Sequence, residues 1–146
     1  MTRTRSTATR RRGLRLSTLR ERRRLYLTAR LIVKRHYAQP LTLTLLAKTL
    51  ASSPRQLQRA YTQFGEQSFR EDLQARRMAA ATELLATTAI PVVEVARRVG
   101  YSKGSHFAQV FRATHDITPA AYRTGQHQPT PGAHPLPPGK QTRSLT

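Results

Sequence analysis

The chain has 146 residues, no cysteine and a formal net charge of +19. Disulfides, thiolate metal sites and cysteine nucleophiles are therefore excluded. No apolar run approaches the roughly 18 residues that a membrane-spanning helix needs. Residues 1–24 hold ten arginines and one acid, residues 25–125 fourteen basic and six acidic residues, and the last 21 residues two more basic ones. A surplus on both the N-terminal segment and the folded part points to a polyanion partner. Arginine supplies 22 of the 26 basic residues, and its planar donor fork suits phosphate and guanine better than the lysine ammonium does.

Residues 1–17 read as a basic arm that is disordered in isolation, because little apolar surface is there to offset the ordering cost. Their Arg, Ser and Thr content superficially resembles an organellar transit peptide. Thr18 and Glu21 match a capping box, which predicts a helix from Thr18 to about Tyr37. Leu25, Ala29, Ile32, Val33 and Tyr37 form its buried face, and Pro40 ends it.

A first helix-turn-helix follows over about 42–64. Leu43, Leu46, Ala47 and Leu50 have the spacing of one helix face. Ser52-Ser53-Pro54 then stops one helix and starts the next, with a serine cap and Pro54 in the first turn. Leu57 and Tyr61 point inward, which leaves Arg55, Gln58 and Arg59 together on the outer side. This is the form of a DNA-binding unit whose second helix enters a major groove.

Gly65-Glu66-Gln67 reads as a turn, and Ser68 as the cap of a long linker helix over about 68–87. Glu71 and Asp72 lie in its first turn, where negative charge suits the helix dipole. Phe69, Leu73, Ala80, Ala81, Leu84 and Leu85 make its apolar side. Such a helix spans roughly 28 Å. Two readers one DNA turn apart need about 34 Å between centres, so a connector of this length suits them. Arg76 and Arg77 read as stems packed beside the core with their heads in water.

The helix-turn-helix pattern then repeats over about 91–115. Val92, Val95, Ala96 and Val99 match Leu43, Leu46, Ala47 and Leu50, and Phe107 and Phe111 match Leu57 and Tyr61 after a turn one residue longer. Gly100 opens the second turn, where a left-handed backbone is often needed. Ala51 holds that place in the first copy and is a weaker choice. Thr118-Pro119 starts a short closing helix with Ala121 and Tyr122. Residues 126–146 carry five prolines between Pro129 and Pro138 and read as a disordered tail. The fold class is thus all-α: about seven helices, two helix-turn-helix subdomains on a linker helix, a domain over 18–125 and a basic arm before it.

Four stretches together carry a family signature: LTLTLLAKTLASSPRQLQRAY, SFREDLQARRMAAATELL, IPVVEVARRVGYSKGSHFAQVFR and ITPAAYR. From about Leu25 to Arg123 the chain resembles the DNA-binding domain of AraC/XylS transcription regulators. The resemblance implies seven helices in two subdomains joined by a long helix. It implies a sequence-specific regulator of transcription in a bacterial cytoplasm, associated with the nucleoid, with double-stranded DNA as partner and RNA polymerase as a typical second contact. The family's base-reading positions fall on Arg55, Gln58 and Arg59, and in the second unit near Ser105, His106 and Gln109. Lys103 and Arg112 are expected as phosphate contacts. Two departures stand out. Where the family usually has glycine before a helix start, this chain has Glu66, with Gly65 one residue early, and Asp116, a residue that tolerates a left-handed angle. The chain also has no room for the effector-sensing or dimerising domain that most members carry. It resembles stand-alone members or a fragment of a longer regulator, with no small-molecule effector in evidence.

Enzyme chemistry finds no support. Some alkylation-repair proteins share part of this pattern but use a cysteine acceptor, and there is none. No phosphate-binding glycine loop, zinc-binding His-Glu motif or Ser/His/Asp set occurs. His36, His115, His127 and His134 are scattered, and no cofactor or metal is expected. Two other readings are weighed against the regulator. A non-specific DNA-coating or architectural protein would be driven by the charge alone. An RNA-binding protein is disfavoured, because the A-form major groove is too narrow for a recognition helix. The arm arginines suit general electrostatic attraction better than insertion into a minor groove.

Overall fold

The computed structural model describes residues 5–125, which form seven helices. They are α1 (Arg5–His36), α2 (Leu43–Thr49), α3 (Pro54–Phe64), α4 (Phe69–Thr87), α5 (Val92–Arg98), α6 (Gly104–His115) and α7 (Pro119–Arg123). No strand occurs among the described residues, and none of the helices is long and apolar enough to cross a membrane. The expected tail over 126–146 lies outside them.

Side-chain caps set four of the helix starts. Thr42 accepts from the Leu45 amide, Ser53 from Gln56, Ser68 from Glu71 and Thr118 from Ala121. Each satisfies one of the amides that a helix start leaves without a partner. At α4 the cap is reciprocal, because Glu71 Oε2 also accepts from the Ser68 backbone N–H at 2.7 Å and from its hydroxyl at 2.8 Å. Those two donors, the backbone one first, hold the Glu71 carboxyl below its ordinary pKa.

The N-terminal segment differs from expectation. Helix α1 begins at Arg5, thirteen residues before the capping box at Thr18, so the helix start expected there is moved toward the N-terminus. Thr18 and Glu21 are interior positions of it. The physical reason is cooperativity: the docked half of α1 supplies the costly nucleus, and a segment with five arginines and two leucines among its thirteen residues then propagates it.

Two cores form on opposite ends of α4. Ala29, Val33, Leu46, Ala47, Leu57, Tyr61, Phe69 and Leu73 pack α1 to α3 against its N-terminal half. Met78, Ala81, Leu85, Val95, Ala96, Val99, Tyr101, Phe107 and Phe111 pack α5 and α6 against its C-terminal half. Tyr37 touches both. The apolar positions read from the two sequence copies are therefore the cores of two separate units.

The turns bear out the reading of Ala51 and Gly100. Both are left-handed, with φ of 50° and 99°. Asp116 at φ 61° takes the left-handed position after α6. Gly65 serves otherwise: its backbone is extended at φ −108°, and an added Cβ would lie 2.9 Å from the Tyr61 carbonyl oxygen and 3.0 Å from Tyr26 Cε2. A Cβ on Gly100 would meet the Arg77 guanidinium at 2.9 Å. We expect Gly100→Ala to destabilise the fold by about 2 kcal/mol, from strain and contact together. Ala51→Gly should stabilise by roughly 0.5 kcal/mol, because relief of left-handed strain outweighs the added unfolded-state entropy. Urea denaturation of the two variants checks both signs.

Candidate nucleic-acid interface

Helix α3 is anchored by Leu57, Ala60 and Tyr61, all buried. With those residues inward, a period of 3.6 turns Arg55, Gln58, Arg59 and Thr62 outward, and all four are exposed. The Ser53 cap and Pro54 fix where the helix begins, so Arg55 projects from its first turn. Recognition helices present base-reading side chains from this end.

The orientation of α3 is set from behind. Tyr61 donates its hydroxyl to Asp72 Oδ2 at 3.1 Å, and Arg30 Nε lies 3.7 Å from the same oxygen. Asp72 is buried at 6% exposure, so α1, α3 and α4 meet on one carboxylate. Burial first, then the neighbouring Asp72, pushes the Tyr61 phenol well above its ordinary pKa. It remains a donor at any working pH. Tyr26 packs edge-on against Tyr61 at 5.2 Å. Sequence reasoning placed Asp72 at the helix start as a dipole partner and missed its burial. The i, i+11 link to Tyr61 carries no local signature.

In front of α3 lies a groove of about 400 Å³ lined by Arg22, Arg55, Gln58, Arg59, Thr62 and Gln63. It contains no acid. Arg22 comes from α1 and donates to Gln63 Oε1 at 2.7 Å. The sequence reading did not single out Arg22. The signal was present, because Arg22 lies on the same helical row as Tyr26, Ala29 and Val33.

Helix α6 repeats the arrangement with different chemistry. Phe107 and Phe111 are fully buried, and Ser105, Gln109 and Arg112 share the exposed side at i, i+4 and i+7. They correspond to Arg55, Arg59 and Thr62. The counterpart of Gln58 is Ala108, which offers no hydrogen-bonding side chain. His106 sits to one side: its ring is edge-on to Tyr101 at 5.4 Å, and it borders a cleft with Leu43, Phe69, Arg70 and Tyr101. Lys103 is the N-cap residue and makes no side-chain capping bond. It is exposed, as is Arg112. The residues predicted for each unit are thus gathered on that unit's own second helix, with His106 off the main row.

Arg77 departs from the sequence reading. Its head is half-buried and held by the protein: Nε donates to the Tyr37 carbonyl at 2.8 Å and Nη2 to the Gln39 carbonyl at 2.9 Å. Glu94 pairs with Arg97 at 2.7 Å and Arg98 at 3.2 Å on the outside of α5. No group of three His, Asp or Glu residues able to hold a metal occurs among the described residues.

Comparison with known proteins agrees with this geometry. A family model described as a helix-turn-helix domain matches residues 46–125. The regulatory protein SoxS of Salmonella typhimurium is 34% identical over 91 residues, covering 62% of this chain and 85% of SoxS. The C-terminal domain of AraT, a response regulator from Geobacillus stearothermophilus, superposes with a TM-score of 0.68 at 32% identity, over 77% of this chain and 93% of that domain. The DNA-binding domain of the global transcriptional factor AdpA, solved in complex with a target DNA, gives 0.64 at 25% identity, over 68% of this chain and 89% of that one.

Proposed function

The chain belongs to the AraC-type family of helix-turn-helix transcription regulators, and on that footing we propose that α3 and α6 read two successive major-groove segments of one duplex in a sequence-specific way. The observation that carries this is the pairing of two exposed polar faces, on α3 and α6, with two separate cores held by one continuous α4. Arg55 and Arg59 suit guanine, and Gln58 suits adenine, through bidentate hydrogen bonds. Ser105 and Gln109 offer fewer and shorter reaches, so the first unit carries more of the sequence reading. Lys103 and Arg112 contact phosphates, which position the protein without specifying a base. The reading includes no effector pocket. It places the protein in the bacterial cytoplasm on the nucleoid, with RNA polymerase as a second contact.

Selection from a random duplex pool at about 0.15 M salt tests the proposal, since low salt inflates electrostatic binding. Two short elements about ten base pairs apart are the expected result. Tight binding without enrichment would put the architectural reading first, which the +19 charge favours. On the selected site, Arg59→Ala should weaken binding by about 1–3 kcal/mol while hardly changing affinity for random DNA. Fluorescence anisotropy on both duplexes checks it.

A further inference from the structure

The inward stripe of α1 changes character along its length. At Val33, Ala29 and Tyr26 it is apolar and packs on the first core. Continued toward the N-terminus, the same helical row carries Arg22 and then Arg15, seven residues earlier. Arg22 already borders the groove with Arg55 and Arg59. Arg15 is exposed, and among the described residues neither arginine forms an ion pair with an acid. So the face that α1 uses to seat itself becomes basic where the helix outruns the domain, on the side from which α3 presents its reading residues. Of the exposed leucines of α1, Leu16, Leu27 and Leu31 lie away from this row, while Leu19, at 39% exposure, stands in it between Arg15 and Arg22 and adds no charge of either sign.

We propose that this part of α1 is a rigid backbone-binding extension, with Arg15 and Arg22 set against phosphates of the duplex that flanks the segment read by α3. The inference rests on the proposed DNA reading and adds to it a third contact outside both helix-turn-helix units. Its partner is the duplex because the row is continuous with the α3 groove and carries charge of one sign. Arg15 and Arg22 are separated by about 10 Å along the helix, roughly the rise of three base pairs along the duplex axis. A disordered arm would attract any polyanion equally. A helix holding this row at a fixed angle selects the flank on one side.

The test compares two double variants that remove the same charge from opposite faces: Arg15→Ala/Arg22→Ala and Arg20→Ala/Arg24→Ala. Each is measured on a selected site with about ten flanking base pairs beyond the α3 element, and on a duplex that ends flush with that element. We expect the first pair to lose about tenfold in affinity on the long duplex at about 0.15 M salt. Its slope of log affinity against log salt should fall by about 1.8, or 0.9 per lost phosphate contact. On the flush duplex its loss should be clearly smaller, confined to what Arg22 contributes beside the α3 groove, and the second pair should lose no more than about twofold on either duplex. Equal losses from both pairs, an unchanged slope, or the same loss on the flush duplex would overturn the proposal. If no site is enriched for the wild-type protein, base reading by α3 and α6 fails on its own. The α1 contact is then read on random duplexes of two lengths with the same variants.

Discussion

Phe111→Ala is expected to cost about 3–5 kcal/mol, the range for emptying a fully buried aromatic site. Phe111 is at 0% exposure, with Phe107 at 5.7 Å, His115 at 4.5 Å and Tyr122 at 5.7 Å between ring centroids. Its removal therefore separates α6 from α7 as well as leaving a cavity. A domain of this size has only about 5–15 kcal/mol in total, so the urea midpoint should fall by about 2 M. The loss should also be local. Phe111 belongs to the second core, which shares only α4 and Tyr37 with the first. Amides of α5 to α7 should lose hydrogen-exchange protection, while those of α2 and α3 keep most of theirs. Equal loss across all seven helices would show that the two cores fold as one unit.

The contrast with Tyr61, the matching residue of the first copy, shows what the sequence made legible and what it hid. Both positions follow from apolar spacing, and both are buried. Local signals of the same kind placed a serine cap before Pro54 and Ser68 as the cap of α4, and pointed to the left-handed turns at Ala51, Gly100 and Asp116; the Thr42 cap was not read from the sequence. The hidden parts depend on residues far apart in the chain. Asp72 accepts from Tyr61 eleven residues away. Arg77 reaches carbonyls 38 and 40 residues back. Met78, at 1% exposure, was left out of the linker's apolar side although it completes the second core. The start of α1 was misplaced for a different reason: a capping box is a local option, and a helix already nucleated downstream can run through it. For the candidate interface, the shared exposed face of Arg55, Gln58 and Arg59 was legible from one helix. Arg22 needed the packing of α1 on α3, and the sideways setting of His106 needed the position of Tyr101.

Arg77→Ala is expected to destabilise the protein by about 3 kcal/mol and to loosen the two units from each other. The half-buried guanidinium bonds the Tyr37 and Gln39 carbonyls, just beyond the end of α1. It also lies over the Tyr101 ring, 5.3 Å from its centroid, at the turn before α6. One side chain of α4 thus joins the first unit's α1–α2 connection to the second unit's turn. Burial lowers its pKa from the ordinary arginine value, but that value is so high that the charge persists. Hydrogen bonds from a charged donor contribute about 1.5–3 kcal/mol each when partly buried. Arg77→Lys should recover less than half of the loss, because an ammonium cannot span two carbonyls and a ring face as the planar fork does. A double-mutant cycle with Gly100 gives the sharper result. In the wild-type background Gly100→Ala brings a Cβ to within 2.9 Å of Arg77 Nε. With Arg77 already truncated, only the strain of φ 99° remains. The second Gly100→Ala should therefore cost about 1 kcal/mol less than the first. Strict additivity in urea denaturation would mean that the glycine is required for its backbone angle alone. A positive coupling would mean that it also makes room for the arginine that holds the two helix-turn-helix units together.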